Sequence, residues 1–564
     1  MTMNIARISY CTFLLLAFPA VAAAQALPAK DVVAHLQSQA IEKGKSPLGH
    51  WGTDPEDYSH WRTHSNRLIP VYTFGTKGAG QNVDLGSYID ENSPYRSEDS
   101  LKKIYGRLPD RTLNPSANYM DQTNIAGIQR AAAAAGKKYI FLFVFDGMDW
   151  QTTRAAAIYN QQKDTYTEGK GSGTHFQTYD ANGTAQYGFM VTSPHNDGST
   201  TDVNAQTVKN PGGKIPGGYD ASAAGSTPWD TPTDPGYLIV KPADGSARHA
   251  FVDSAASAGS MVNGAKTYYN AIGVGPAGEQ LSAVSHELQN DDWAVGVVTS
   301  VPISHATPGA AYAHNVSRKD FQDISRDMLG LPSISHPKSP LPGMDVVIGG
   351  GYGYDDAEAE PSAAQGDNFQ SGNLHLADSD LKAVSIKNGG QYVVATRKKG
   401  KDGGQQLQRA ARNAATGGHR LLGYYGLGAY EGHIPYQTAN GDFKPVKGIK
   451  KADPEIYTEA DLLENPTLAE MTSAALTVMA SRKSNFWLMV EAGDVDWANH
   501  DNNIDNSIGA VNSGDAAVKT ITDWVEANSN WDETLLIVTS DHGHMLTLTD
   551  PQQLIGEATA ASSK

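Results

Sequence analysis

Tyr139-Ile140-Phe141-Leu142-Phe143-Val144-Phe145-Asp146 decides the fold. Seven apolar residues in a row have the length of a strand, and the lack of polar alternation marks a strand covered on both faces. A carboxylate follows at once. Runs of the same kind recur at 293–298, 344–348, 392–396, 486–490 and 535–538. Helices are expected between several of them, at 151–160, 466–481 and 504–528. This alternation predicts an α/β fold, with a largely parallel central sheet flanked by helices on both faces and carrying long loop insertions. Ligands of such sheets bind beyond the carboxyl ends of the strands, so the residues just after each apolar run are the candidates.

At 564 residues the chain has room for one large domain or a few smaller ones. Hydrophobic residues at 40% and charged residues at 19% exclude wholesale disorder. The net charge of −17 disfavours nucleic acid and anionic membrane surfaces as partners. An anionic substrate stays open, because bound cations reverse the sign locally. Arg7, the apolar run 8–18 and the small residues after it read as a signal peptide over 1–24, cleaved after Ala24 or Ala26. The expected location is the periplasm or the outside medium, with no stable membrane association. The single cysteine, Cys11, lies in that leader, so the mature chain offers no disulfide and no thiolate ligand.

Residues 27–136 read as an irregular N-terminal extension without a chemical motif, with Trp51, Trp61 and Tyr72 as anchors. Residues 137–564 read as the α/β domain. They carry a loop-rich insertion over about 195–250, where Gly, Pro, Asp, Thr and Ser dominate.

At the strand ends, Asp146 follows the first run, Glu491 follows 486–490, and Asp541 and His542 follow the last run. Carboxylates converging on one sheet edge repel unless cations sit among them. Asp with His suits zinc, and an all-oxygen set suits magnesium. A helical turn from Asp496 would put Asp496 and His500 on one face. The bland alternative is a solvated acidic loop with an incidental histidine, and the segment alone leaves both open. In Asp253-Ser254-Ala255-Ala256-Ser257 the serine reads either as a helix cap or as a hydroxyl held among anion-favouring backbone N–H groups. Beside a metal ion such a hydroxyl can ionise and attack phosphorus.

Taken in order, these segments resemble the alkaline phosphatase family over 137–564, about three quarters of the chain. The motifs are Asp146-Gly147-Met148, then Asp253-Ser254-Ala255-Ala256-Ser257, then Glu491 with Asp496 and His500, then Thr539-Ser540-Asp541-His542-Gly543-His544. His305-Ala306-Thr307-Pro308, followed by His314 and Ser317-Arg318, supports them. The resemblance implies a catalytic domain that hydrolyses phosphate monoesters through a phosphoserine on Ser254, with two zinc ions and one magnesium. It implies that Asp146, Asp541 and His542 bind the first zinc and that Asp496 and His500 bind the second. Asp146, Thr307 and Glu491 are implied as magnesium ligands, and Arg318 as the phosphate clamp. Asp253, His305, Trp497 and His544 are implied as supporting residues, with His305 and Trp497 tuning phosphate and magnesium affinity. The substrates would be small phosphate monoesters, and a homodimer is left open.

The sequence departs from the family at named places. The second zinc normally has a third ligand, a histidine well downstream of the Asp-His pair, yet no histidine follows His544. The closing strand of the sheet also lacks a counterpart there. The expectation is a chain lacking its C-terminal end, with His419 or His433 as stand-ins otherwise. Asp149 stands where the family has a glycine and is expected to add an unpaired carboxylate. The alternative to an active enzyme is a truncated or inactive phosphatase-like protein that binds phosphate or metal without efficient turnover. A sulfatase is disfavoured because the Cys/Ser-x-Pro-x-Arg segment is absent, and a diesterase because the nucleophile context is Asp-Ser-Ala-Ala rather than threonine.

Overall fold

In the computed structural model, which describes residues 31–58, 64–239, 249–355, 365–450 and 453–555, Tyr139–Phe145 is a strand that feeds two cores. Phe141, Phe143 and Phe145 enter one hydrophobic cluster, and Ile140, Leu142 and Val144 enter the other. Side chains alternate across a strand, so an all-apolar strand must be covered on both faces. The signal-peptide reading, with Cys11, and the anchor Trp61 lie outside the described residues.

The strands, in chain order, are β1 (Gly49–Trp51), β2 (Ile69–Phe74), β3 (Met120–Asp121), β4 (Tyr139–Phe145), β5 (Gln186–Val191) and β6 (Ala294–Pro302). They continue with β7 (Val346–Gly350), β8 (Tyr392–Thr396), β9 (Arg420–Tyr424), β10 (Phe486–Ala492), β11 (Thr534–Ser540) and β12 (Leu546–Leu548). Ten of them form one sheet in the order β8-β9-β7-β6-β10-β4-β11-β2-β5-β3. Of these ten, β2 alone runs against the rest, antiparallel to both β11 and β5. The remaining pairings within the sheet are parallel.

Helices cover both faces. The relevant ones are α1 (Asn124–Ala134), α2 (Trp150–Gln161), α3 (Ser254–Asn263), α4 (Phe321–Leu329), α5 (Gly403–Gly417), α6 (Leu468–Arg482), α7 (Asp494–His500) and α8 (Ile504–Asn528). Residues of α2, α5, α6 and α8 pack with the phenylalanines of β4, and residues of α1, α3 and α4 pack on the opposite face. The fold is therefore the α/β class expected, with a largely parallel central sheet. The 195–250 stretch contains two short ribbons, Asn196–Asp197 with Ile215–Pro216 and Thr201–Asp202 with Thr207–Val208. It also carries the short helices Ala221–Ala224 and Pro235–Ile239. Among the described residues no helix is long and apolar enough to cross a membrane.

The expectation of an irregular extension over 27–136 needs correcting. This stretch supplies β2, which is buried along its whole length and lies inside the main sheet between β11 and β5. It also supplies β1, paired with β12, as well as β3 and α1. The edge of β11 away from β4 is held by β2. Pro70 masks this strand in the sequence: proline cannot donate to a ladder, so it argues against an interior strand. Here it sits at the second residue of β2, opposite Phe189, and its carbonyl accepts from Thr539 Oγ1 at 2.8 Å.

Asp149 is not the unpaired carboxylate expected. Its side chain caps α2 by accepting from Thr152 N at 3.0 Å, and Arg67 Nη1 lies 3.5 Å from its Oδ2. Arg67 in turn donates to the Leu546 carbonyl. The supposedly unpaired carboxylate thus ties the N-terminal segment to the domain. Asp149→Ala removes a cap worth about 1 kcal/mol and leaves a buried guanidinium without its counter-charge. The expected loss is about 3 kcal/mol, read as a lower urea midpoint of the full chain. A midpoint within error of the wild type would show that the Leu546 carbonyl satisfies Arg67 unaided.

Candidate functional site

The site lies at the carboxyl edge of the parallel strands. Asp146 follows β4, Glu491 lies near the end of β10, and Asp541 and His542 follow β11. Gly147 turns the chain away from Asp146 with φ +71°. A Cβ there would meet His544 Cδ2 at 2.8 Å and Asp496 Cα at 3.0 Å, so glycine lets these segments close up. Gly147 N donates to Asp541 Oδ1 at 2.9 Å, and Met148 N to Ser540 Oγ at 2.8 Å, which locks the two strand ends together.

Ser254 opens α3. Asp253, not Ser254, is the cap, accepting from Ala256 N at 3.2 Å. The small residues that follow let the helix pack closely: Ala255, Ala258 and Met261 join Ile125 and Ile128 of α1 in one cluster. This packing fixes the Ser254 hydroxyl, which donates to Asp146 Oδ1 at 3.3 Å and lies 3.3 Å from His542 Nε2. His542 Nε2 is 3.4 Å from Asp146 and 3.5 Å from Asp541, so the three form one buried ligand-like group. Asp253 Oδ2 accepts from Arg318 Nη1 at 2.9 Å, and Arg318 Nη2 lies 3.4 Å from His305 Nε2. His305 and Trp497 meet edge to face with ring centroids 5.5 Å apart.

A second group adjoins the first. Helix α7 puts Asp496 and His500 on one face, with His500 Nε2 3.4 Å from Asp496 Oδ1. His544 Nε2 lies 2.6 Å from the same oxygen. The third histidine of this group is His64, which sequence reading missed. Its Nδ1–H donates to the Val252 carbonyl at 2.8 Å, which leaves the Nε2 lone pair facing His500 Nε2 at 3.2 Å. Its ring stacks on His542 at 3.8 Å. Neither expected stand-in joins this group. His419 precedes β9 at the opposite edge of the sheet. His433 stacks on Tyr436 and pairs with Glu455. The available signal was topological: β2 is antiparallel, so the residues before it, not those after it, reach the carboxyl edge. Ser65 accordingly bridges Gly543.

The resemblance implies a third, all-oxygen set, Asp146, Thr307 and Glu491, and all three residues are fully buried. Thr299 Oγ1 donates to Glu491 Oε2. Asp146 Oδ2, Asp541 Oδ2, Glu491 Oε1 and Thr307 Oγ1 are buried without a hydrogen-bond partner. Orphaned oxygens of this kind are costly in an apolar interior and are what hard cations satisfy. Burial, with the neighbouring Asp496 and Asp541 carboxylates, pushes Asp146 well above the usual carboxylate range. Burial pushes Glu491 up to about 8 and Asp541 up to about 6. Burial would raise Asp496 as well, but His500 and His544 outweigh it and hold it well below. Burial, then the neighbouring histidines, holds His64 and His542 neutral, the form that ligates metal. The residues therefore fit divalent cations: His and Asp in two groups, oxygens alone in the third.

The profile of the alkaline phosphatase family matches residues 242–563. That is more than half of the chain, and the chain belongs to this family. Alkaline phosphatase 4 of Bacillus subtilis (strain 168) is 27% identical over 326 residues, covering 56% of this chain and 55% of the relative. Alkaline phosphatase of Escherichia coli (strain K12) is 27% identical over 305 residues, covering 53% of this chain and 59% of the relative. The crystal structure of Thermus thermophilus alkaline phosphatase aligns at 21% identity and a TM-score of 0.42, over 72% of this chain and 60% of that one. The chain spans about half the length of the curated relatives it matches. The profile match takes in Ser254 and the residues from Thr307 to His544 but begins after His64 and Asp146.

Proposed function

We propose that this protein is a metal-dependent phosphate monoester hydrolase that works through a phosphoserine on Ser254. The observation that carries the reading is the position of the Ser254 hydroxyl, 3.3 Å from both Asp146 Oδ1 and His542 Nε2. Asp146, Asp541 and His542 would hold one zinc, His64, Asp496 and His500 a second, and Asp146, Thr307 and Glu491 a magnesium. Such ions supply Lewis acidity, offsetting phosphoryl charge and lowering the pKa of a neighbouring hydroxyl. Asp146 accepts the Ser254 hydrogen bond and so turns the oxygen's other lone pairs into the pocket. Ser254 Oγ attacks phosphorus, the ester P–O bond breaks, and the alcohol leaves. Water then attacks the phosphoserine and frees phosphate and Ser254. Arg318, held by Asp253, offers its remaining N–H donors to the phosphoryl oxygens, a match for a planar fork. His305 and Trp497 back Arg318 and thereby set its reach. His544 steadies Asp496 from behind. A binding protein without turnover drew its support from a missing histidine, and His64 takes that support away.

The test is hydrolysis of p-nitrophenyl phosphate by the full chain near pH ~9, where the attacking oxygens are more readily deprotonated. Zinc and magnesium are supplied, and a chelator is then added. The expected result is turnover that falls to background with chelator and returns with metal. A folded, metal-loaded chain that does not turn over this ester, or that prefers p-nitrophenyl sulfate, would overturn the reading.

A further inference from the structure

A third His-Asp group lies outside the site described above: His314, Asp327 and His336, whose ligand atoms all fall within 4.8 Å of one another. His314 follows the short helix Ala306–Ala310 that carries Thr307, and Arg318 comes four residues later. Asp327 projects from α4, and His336 from the loop after it. Three chain segments therefore meet at this point, and one of them is the loop linking Thr307 to Arg318.

The hydrogen bonds leave a lone pair of His314 pointing inward. His314 Nε2 lies 2.8 Å from the Leu281 carbonyl, and only an N–H can serve that acceptor. His314 Nδ1 therefore bears the lone pair, and it faces His336 Nε2 at 2.9 Å. His336 Nε2 lies 3.9 Å from Asp327 Oδ2. Ligands of a tetrahedral zinc stand about 3.3 Å apart, given bonds of about 2.0–2.1 Å, so 2.9 and 3.9 Å bracket the required spacing. Asp327 is fixed by two donors, His314 N at 3.0 Å to Oδ2 and Ser333 Oγ at 2.6 Å to Oδ1. The carbonyl behind His314 and the hydroxyl behind Asp327 are the outer partners that metal-binding imidazoles and carboxylates use. His286, beside them, is committed elsewhere: Nε2 to the Tyr312 carbonyl at 2.8 Å and Nδ1 to Ala283 N at 3.4 Å. His314 and His336 also line a cavity of about 310 Å³, together with Leu281, His286 and Leu341. Burial holds His314 down at about 3 and raises Asp327 to about 7.

We propose that His314, His336 and Asp327 form a separate site for a single zinc-like transition-metal ion, with water in its open position, that clamps the loop carrying Arg318. The role is structural: a cation here joins α4 to the loop between Thr307 and Arg318. The probe is zinc itself. Crystals of the full chain soaked in zinc are measured on both sides of the zinc absorption edge. The expected result is an anomalous peak between His314 Nδ1 and His336 Nε2, besides those at the groups around Asp146 and Asp496. In solution, His336→Ala should bind one zinc fewer than the wild type, and zinc should raise its urea midpoint less. His336→Ala should still hydrolyse p-nitrophenyl phosphate at saturating substrate, with a rise in KM as the Arg318 loop loosens. Peaks at the Asp146 and Asp496 groups with none here would overturn this proposal and leave the catalytic reading intact. An unchanged zinc count in a folded His336→Ala chain would overturn it too. Zinc here but at neither other group would sink the catalytic reading alone.

Discussion

Ser254→Ala should lower kcat/KM for p-nitrophenyl phosphate by at least about 10³-fold, or about 4 kcal/mol of transition-state stabilisation. The oxygen removed is the one that lies 3.3 Å from Asp146 and from His542, at the first turn of a helix whose N–H groups favour the incoming charge. No other described hydroxyl approaches both of those side chains within hydrogen-bond distance. Ser257, one turn on, is committed to the Asp541 carbonyl at 2.7 Å. The loss should fall on kcat, because Arg318 and its partner Asp253 remain, and in the proposed mechanism they hold the phosphoryl group. Zinc and magnesium content should not change, since the carboxylates and imidazoles are untouched. Acid quenching of the wild type with labelled phosphate should trap label on a peptide containing Ser254, and the variant should trap none. Residual turnover sets a floor, because bound groups other than the nucleophile still stabilise the transition state. A variant within tenfold of the wild type, or label found on another residue, would remove Ser254 from the mechanism.

The sheet was legible because its strands are extreme. An unbroken apolar run such as 139–145 has no alternative to burial on both faces. The groups at its carboxyl edge were legible for the same reason: Asp146, Glu491, Asp541 and His542 each stand at the end of such a run. What stayed hidden was carried by weaker patterns. Strand β9 was missed because Arg420 and Gly423 interrupt a short run. Strand β2 was missed because Pro70 argues against an interior strand. The error over β2 propagated, since the rule that ligands lie after strands assumes parallel direction. One antiparallel strand inverts the rule, and His64, which precedes it, then went unread. Asp149 was misread on a different scale. Its partner Arg67 is 82 residues away, and pairs that depend on tertiary closure leave no local pattern.

His64→Ala should therefore cost activity by about 10²-fold or more, although nothing around His64 matches a family motif. The argument is one of coordination. Asp496 and His500 alone would leave a zinc with half its shell, whereas three protein ligands and one open position make a working catalytic site. His64 offers the third ligand in a prepared state. The Val252 carbonyl fixes its tautomer, the stack on His542 fixes its ring plane, and burial, with His500 and His544, keeps it neutral. Val252 lies two residues before Ser254, so the backbone that orients this histidine is continuous with the helix that carries the serine. The variant, dialysed against buffer, should lose about one equivalent of zinc, and excess zinc should restore part of the rate by mass action. His419→Ala is the control. His419 lies at the opposite edge of the sheet, before β9, and its loss should change neither zinc content nor rate. A His64→Ala chain that keeps its zinc and its rate would show that His544, 2.6 Å from Asp496, is the working third ligand instead. If His419→Ala lost zinc as His64→Ala is expected to, the arrangement at the carboxyl edge of the sheet would have to be redrawn.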